Sequence, residues 1–234
     1  MNPTSLTGRT IVVTGAGGEV GSVVAQYAAG HGAFVAMVDI APIFMWRGIV
    51  RGEAHLQLDG VDLSDLAAAR KVMDLVHAKT GQLDVLLNIA GGFRWQTLAD
   101  GDLGAWDVLY KINLKTAATA CKAALPHLIE SRGRIVNVGA LGAMKAGAGM
   151  GAYAAAKAGV AKLTESLAEE HKGVVAVNAV LPSIIDTPAN RADMPDADFS
   201  KWVAPSDLAA VILFLASDEA RAVTGALVPV AGGV

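Results

Sequence analysis

The sequence predicts an α/β protein: a single doubly wound, mostly parallel seven-stranded sheet with helices on both faces. Three observations carry this. Short apolar runs of strand length recur at 10–14, 34–38, 55–58, 84–88, 135–138, 174–180 and 226–230. Longer helical patterns alternate with them, and parallel strands need such crossovers. The chain is 53% hydrophobic, which fits a sheet buried on both faces plus surface hidden in an oligomer.

In order, the first run, TIVVT, ends at Gly15. The turn GAGG, then Glu19, Val20 and Gly21, leads into a helix at about 20–30. Strand, glycine turn and helix in succession let backbone N–H groups approach a diphosphate at a positive helix end. The second strand, 34–38, ends at Asp39. A carboxylate ~20 residues past such glycines accepts hydrogen bonds from the ribose hydroxyls of NAD and repels the extra phosphate of NADP. The plainer alternative is an ordinary strand-end acid. After the third strand come Asp62, Leu63 and then Ser64 as helix cap, with a helix to about Lys79. The fourth strand opens into Ile89-Ala90-Gly91-Gly92 and a loop with Phe93, Arg94 and Trp95. A long helix over about 105–129 carries Asn113 and Cys121, the latter reading as core.

Residues 133–160 are the centre of the argument. A buried strand, a Gly/Ala-rich loop and a helix opening near Gly151 bring Tyr153 and Lys157 onto one helix face, four residues apart. A free phenol, with a pKa near ~10, is a poor acid or base at neutral pH. A neighbouring ammonium favours the phenolate and lowers that value. Tyr153 can then exchange a proton with an atom that gains charge when hydride arrives. The alternative is a solvated stripe of ordinary helix residues. The sixth strand ends at Pro182, and residues 183–203 read as an irregular lid or binding loop. A helix at about 206–216 precedes the last strand. Ligands in doubly wound sheets bind beyond the carboxyl ends of the strands, where Gly15, Asp39, Asn88, Gly139 and Pro182 lie.

Length and charge bound the function. The 234 residues suit one domain spanning 1–234, without repeats or linkers. No apolar run reaches the ~18 residues of a membrane span. A net charge of −3 without a basic block argues against nucleic acid. The N-terminal MNPTSLTGRT has no basic-then-apolar signal pattern. With one cysteine and no Cys/His cluster at zinc spacing, neither a disulfide nor a metal is expected, and the setting reads as reducing cytoplasm.

These residues together resemble the short-chain dehydrogenase/reductase family along nearly the whole chain. The resemblance rests on Thr14-Gly15 with Gly18 and Gly21, Asp39, Asp62-Leu63, Asn88 to Gly91, Asn113, Tyr153 with Lys157, Pro182 with Thr187, and Gly232-Gly233. It implies a Rossmann domain that binds NAD(H), preferred here because of Asp39, or NADP(H). Cofactor contacts would come from Gly15, Gly18, Glu19, Val20, Asp39, Asp62, Leu63, Asn88, Ala90, Gly91, Tyr153, Lys157, Pro182, Ile185 and Thr187. Tyr153 would be the acid/base, Lys157 would hold the nicotinamide ribose, and Asn113 would organise a relay water. Family members assemble through their long helices, which implies a homodimer or homotetramer acting on a small molecule.

Three departures narrow the resemblance. The family's serine, thirteen residues before the tyrosine, is here Ala140. The middle glycine of the usual TGxxxGxG is Glu19, with Gly18 one place early, and Ser183 follows Pro182. The first two departures, with LPSIIDTPANRADMPDADFSKW (181–202) and an aromatic after Ala90-Gly91-Gly92, are similar to the dihydropteridine reductase branch. An electron-poor quinonoid pterin or imine needs less polarisation than a ketone, so Tyr153 alone can suffice. Phe93, Trp95, Ala140, Met144, Met150, Phe199 and Trp202 are the candidate substrate lining, with core or lid packing as the alternative for each. Arg94 is either a solvated charge or a contact for an acidic or pterin substrate. The competing functional readings are a general carbonyl reductase or alcohol dehydrogenase lacking the serine, and a non-catalytic NAD(H) sensor.

Overall fold

A computed structural model describes residues 5–43 and 55–234. The first four residues of the N-terminal stretch read above lie outside that range. Among these described residues seven strands, β1 (Thr10–Thr14), β2 (Phe34–Val38), β3 (His55–Leu58), β4 (Val85–Asn88), β5 (Arg134–Val138), β6 (Ala176–Pro182) and β7 (Leu227–Val230), form one sheet. Its order is β3-β2-β1-β4-β5-β6-β7, and each neighbouring pair is parallel. The expectation of a mostly parallel sheet is met by one parallel throughout. The chain winds outward in both directions from β1 and β4. Their carboxyl ends therefore border the crevice where the connections diverge.

Strand period decides the two faces. Ile11, Val13, Val35 and Met37 pack on one side with α1 (Glu19–Gly30) and α7 (Pro205–Ala216). Val12, Ala36, Val38 and Leu86 pack on the other with α2 (Leu66–Thr80), α4 (Thr116–Ser131) and α5 (Gly151–Glu170). Both faces are covered, so the strands read as unbroken apolar runs.

Three helix details depart from the sequence reading. Asp65, not Ser64, caps α2 by accepting from the Ala68 N–H at 2.8 Å. Ser64 turns back instead, donating its N–H and hydroxyl to Asp62 Oδ1 at 2.9 and 2.6 Å. The long helix expected at 105–129 is three pieces: α3 (Gly104–Leu109), a wide π-helical turn over Tyr110–Lys115, and α4. Such a turn inserts a residue into the helical ladder and rotates the side chains that follow it. The stretch 183–203 is less irregular than its composition suggests. It contains α6 (Pro188–Asp193), capped by Thr187 Oγ1 accepting from the Asn190 N–H at 3.2 Å. A Thr-Pro pair is a legible helix start, with a capping hydroxyl followed by a residue whose φ is preset.

The turn after β1 is packed against its own helix. A Cβ on Gly21, in the first turns of α1, would run into the carbonyl oxygen of Gly15. Gly21→Ala is expected to cost roughly 1–3 kcal/mol through overpacking. Urea denaturation checks this, and an unchanged midpoint would mean the turn has slack that the structure denies.

Candidate active site

The crevice begins with a clasp between β1 and β4. Thr14, fully buried, accepts at Oγ1 from the N–H groups of Ile89 and Ala90 at 3.0 and 3.1 Å. Gly15 has φ +66, and a Cβ there would lie 2.7 Å from the Ala90 Cα. Only glycine permits so close a passage of two backbones. The turn then exposes Gly17, Gly18 and Glu19, with Val20 half-buried. Gly18 caps α1 without a side-chain hydrogen bond, so the helix's first N–H groups face the crevice mouth. Glu19 is an exposed first-turn residue, where a carboxylate is compatible with the helix dipole. Asp39 closes this corner: its Oδ2 accepts from the Gly17 N–H and its Oδ1 from the Ala41 N–H, both at 2.9 Å.

Along the rim, Asp62 Oδ2 pairs with Lys111 Nζ at 3.0 Å. The Ser64 hydroxyl first, and Lys111 second, hold the Asp62 carboxyl down at about 2. Leu63 is buried beside it. Asn88 points into the sheet, donating from Nδ2 to Asn137 Oδ1 at 2.9 Å and to Cys121 Sγ at 3.2 Å. Its side chain is thus engaged inside, and it is the half-exposed backbone at Ala90 and the exposed Gly91 that face the crevice. Cys121 is buried, as its helical pattern suggests, and burial pushes its thiol up to about 12.

Two polar side chains meet beside Gly91. Asn113, turned inward by the π-helical turn, donates to the Leu109 and Gly92 carbonyls at 3.0 Å and accepts from the Gly92 N–H at 3.2 Å. Lys157 Nζ donates to the Val138 carbonyl at 2.7 Å. A Cβ on Gly91 would lie 2.5 Å from Asn113 Oδ1 and 3.2 Å from Lys157 Nζ, so glycine keeps this space open. Tyr153 lies one turn before Lys157 on α5. The electrostatics differ from the sequence expectation. Burial, not the ammonium, dominates: it pushes the Tyr153 phenol up to about 12 and Lys157 down to about 8. Desolvation disfavours both charged forms, and the ammonium is committed to Val138.

Of the candidate lining, Phe93 stands edge-on to Tyr153, centroids 5.0 Å apart and planes at 87°. Trp95 donates from Nε1 to the Ala148 carbonyl at 2.9 Å and lies over Gly149, fastening the 93–96 loop to the loop before α5. Met150 packs near Gly142, Met144 is exposed, and Ala140 is buried in extended backbone at the end of β5. Phe199 and Trp202 pack together at 4.7 Å, with the Arg191 guanidinium 4.8 Å from the Phe199 ring. Trp202, only 7% exposed, is anchored in the interior rather than open to a ligand. Ile185 bridges Val203, Thr187 serves its own helix, and Pro182 ends β6 buried. Ser183 Oγ donates to the Ala231 carbonyl at 2.6 Å, fixing that turn to the C-terminal strand. The sequence reading missed the Thr14 clasp, the Lys111 pairing and the Trp95 fastening, because each partner lies far away in the chain.

The donor set fits a dinucleotide: an uncapped helix end, a carboxylate at the close of β2, and a glycine-kept opening above Asn113 and Lys157. No helix among the described residues is long and apolar enough to cross a membrane. A family model described as Enoyl-(Acyl carrier protein) reductase matches residues 15–234. The chain is 32% identical to the meso-2,3-butanediol dehydrogenase of Serratia marcescens, over 96% of this chain and 94% of that protein. It is 35% identical to the cis-4-hydroxycyclohexanecarboxylate dehydrogenase of Sinomonas cyclohexanicum, over 96% of each. A carveol dehydrogenase from Mycobacterium avium, solved in complex with NAD, superimposes with a TM-score of 0.84 at 28% identity, covering 98% of both chains.

Burial of Lys157 has a thermodynamic signature. Its folded pKa, about 8, lies below the ordinary 10.5, so between these values the unfolded chain binds more protons. Stability should then rise with pH from about 8 toward 10. Above 10 the phenol of Tyr153, pushed up to about 12, acts in the opposite sense. Urea titrations of the wild type and Lys157→Met across this range test the assignment. The rise should flatten in the variant, and parallel curves would show that Lys157 is not its source.

Proposed function

This chain belongs to the short-chain dehydrogenase/reductase family, and we propose that it is an NADH-preferring reductase of small conjugated C=N or C=O compounds, like a dihydropteridine reductase. Residues 1–234 would form one Rossmann domain, with 183–203 as the substrate lid. The observation that carries the reading is Ala140, a buried methyl where an alcohol-forming site would place a hydroxyl donor. Losing one donor to a developing oxyanion costs on the order of 10²–10³ in rate. A substrate that is already electron-poor escapes most of that cost. Phe93, 53% exposed and edge-on to Tyr153, suits a flat conjugated ring.

Gly15 to Val20 and Asp39 would hold the cofactor's diphosphate and ribose, and Lys157 its second ribose. When bound, the cofactor supplies the hydride. Tyr153, kept protonated at neutral pH by burial, would hold the proton at its hydroxyl for the atom that gains charge. That protonation state suits reduction better than oxidation. Asn113, fastened to both the carbonyl and the N–H of Gly92, would shape the relay behind it. Asp39 would favour NADH by repelling the extra phosphate of NADPH. Exposed Val108, Tyr110 and Ile129 on the α3–α4 surface support a homodimer or homotetramer, and the lone buried Cys121 supports a cytoplasmic setting.

A second reading, a carbonyl reductase or alcohol dehydrogenase that tolerates Ala140, draws support from relatives whose names specify hydroxylated compounds. A non-catalytic sensor is disfavoured, since it needs no Tyr153, Lys157 and Asn113 set.

NADH oxidation with quinonoid dihydropterin, run beside a panel of ketones, separates the readings. Turnover on the pterin should fall by about 10²–10⁴ in Tyr153→Phe while NADH binding persists. Ketone turnover alone would favour the second reading, and no turnover on any substrate, with NADH binding unchanged in Tyr153→Phe, would favour the sensor. Ala140→Ser should raise ketone reduction, and no gain would remove the argument from the missing hydroxyl. A marked NADPH preference in a binding titration would overturn the role of Asp39.

A further inference from the structure

At the opposite edge of the sheet, α2 and α4 pack side by side before leading into the neighbouring strands β4 and β5. Each helix carries an imidazole and a carboxylate three residues apart: Asp74 with His77 on α2, His127 with Glu130 on α4. That spacing puts each pair on one helix face. The imidazoles are stacked, centroids 4.5 Å apart and planes within 20°. His77 Nε2 lies 3.6 Å from Glu130 Oε2, and His127 Nε2 lies 2.8 Å from Asp74 Oδ1. One ligand atom each from His77, His127 and Glu130 lies within 4.8 Å of the others.

We propose that His77, His127 and Glu130 bind a transition-metal dication of the zinc class, with Asp74 orienting the His127 ring and water completing the coordination. Two imidazoles and one carboxylate suit zinc rather than magnesium or calcium, which require oxygen-rich sites. A tetrahedral ion with bonds of about 2.0–2.1 Å separates its ligands by roughly 3.3 Å, close to the His77–Glu130 spacing. Binding would turn the His77 ring out of the stack, so that both in-plane lone pairs meet one ion, and Glu130, with its side chain 72% exposed, would follow it. A carboxylate hydrogen-bonded to a ligating histidine is the usual outer partner, holding the ring in register. Local Cys/His spacing along the chain shows no such site. Here the ligands come in pairs from two helices, with Asp74 and His127 53 positions apart. The ion would clamp α2 to α4 beside the starts of β4 and β5, away from the carboxyl strand ends that border the candidate active site. It would therefore act on stability rather than on turnover.

The test uses the untagged full chain, stripped with a chelator and then titrated with zinc chloride. Calorimetry should find one ion per chain, and the melting temperature should rise with zinc and not with magnesium. His77→Gln combined with His127→Gln should abolish both effects. Asp74→Asn should weaken zinc binding by about tenfold or more. Glu130→Ala, at a solvent-facing position where folding is not at stake, should also lose affinity. Cobalt substitution gives an independent reading, through visible bands of a tetrahedral nitrogen/oxygen site that vanish in the same variants. No zinc-dependent shift in the wild type would overturn the proposal, as would zinc binding undiminished in Glu130→Ala and the double variant.

Discussion

Between the turn after β1 and the end of β4 there is no room for a side chain, and the crevice depends on that contact. A Cβ on Gly15 would lie 2.7 Å from the Ala90 Cα, and the Thr14 hydroxyl accepts from two N–H groups of the β4 extension. With the two strand ends clasped, the backbone beyond them is driven apart. α1 leaves on one side, and the Gly91–Gly92 stretch leaves on the other. The start of α1 and the open space above Asn113 and Lys157 then border one crevice. Loosening the clasp would separate the candidate cofactor corner at Asp39 from the candidate reaction corner at Tyr153.

Inside the crevice, desolvation biases the charge states of the titratable groups. Tyr153 and Lys157 are pushed toward their neutral forms, the phenol up to about 12 and the amine down to about 8. The amine's hydrogen bond to the Val138 carbonyl ties it to the end of β5, and the π-helical turn ties Asn113 to Gly92. A hydrogen-bonded polar floor thus lies near an aromatic wall formed by Phe93, itself on a loop fastened through Trp95 to Ala148.

The opposite edge is organised by charge. Asp84 accepts from the Thr10 N–H and pairs with Arg9, while Arg9 and Arg134 both reach Asp218 at 2.9 Å. These contacts tie the starts of β1, β4 and β5 to the end of α7. The stacked imidazoles lie nearby, between the ends of α2 and α4. One edge of the sheet is therefore built of glycines and open backbone, the other of ion pairs and packed rings.

Much was legible in the chain itself. Apolar runs of strand length alternating with helical patterns determined a parallel sheet, because such strands must be joined by crossovers and buried on both faces. Glycine spacing, Asp39 and the four-residue step from Tyr153 to Lys157 were equally readable, since each is a local relation along one turn or helix. Contacts between distant elements were not. Asp65 rather than Ser64 capped α2 because Asp62 competed for the serine, and the π-helical turn at 110–115 interrupted an even helical pattern. Trp202 turned inward, packed against Phe199 and buried. The shifted Tyr153 and Lys157 arose from burial, and the His77–His127 pair from two helices meeting. Sequence alone determined which elements form and which groups sit on one face. Only tertiary structure decided which groups lose water and which distant partners they find, because desolvation and long-range contact are properties of packing.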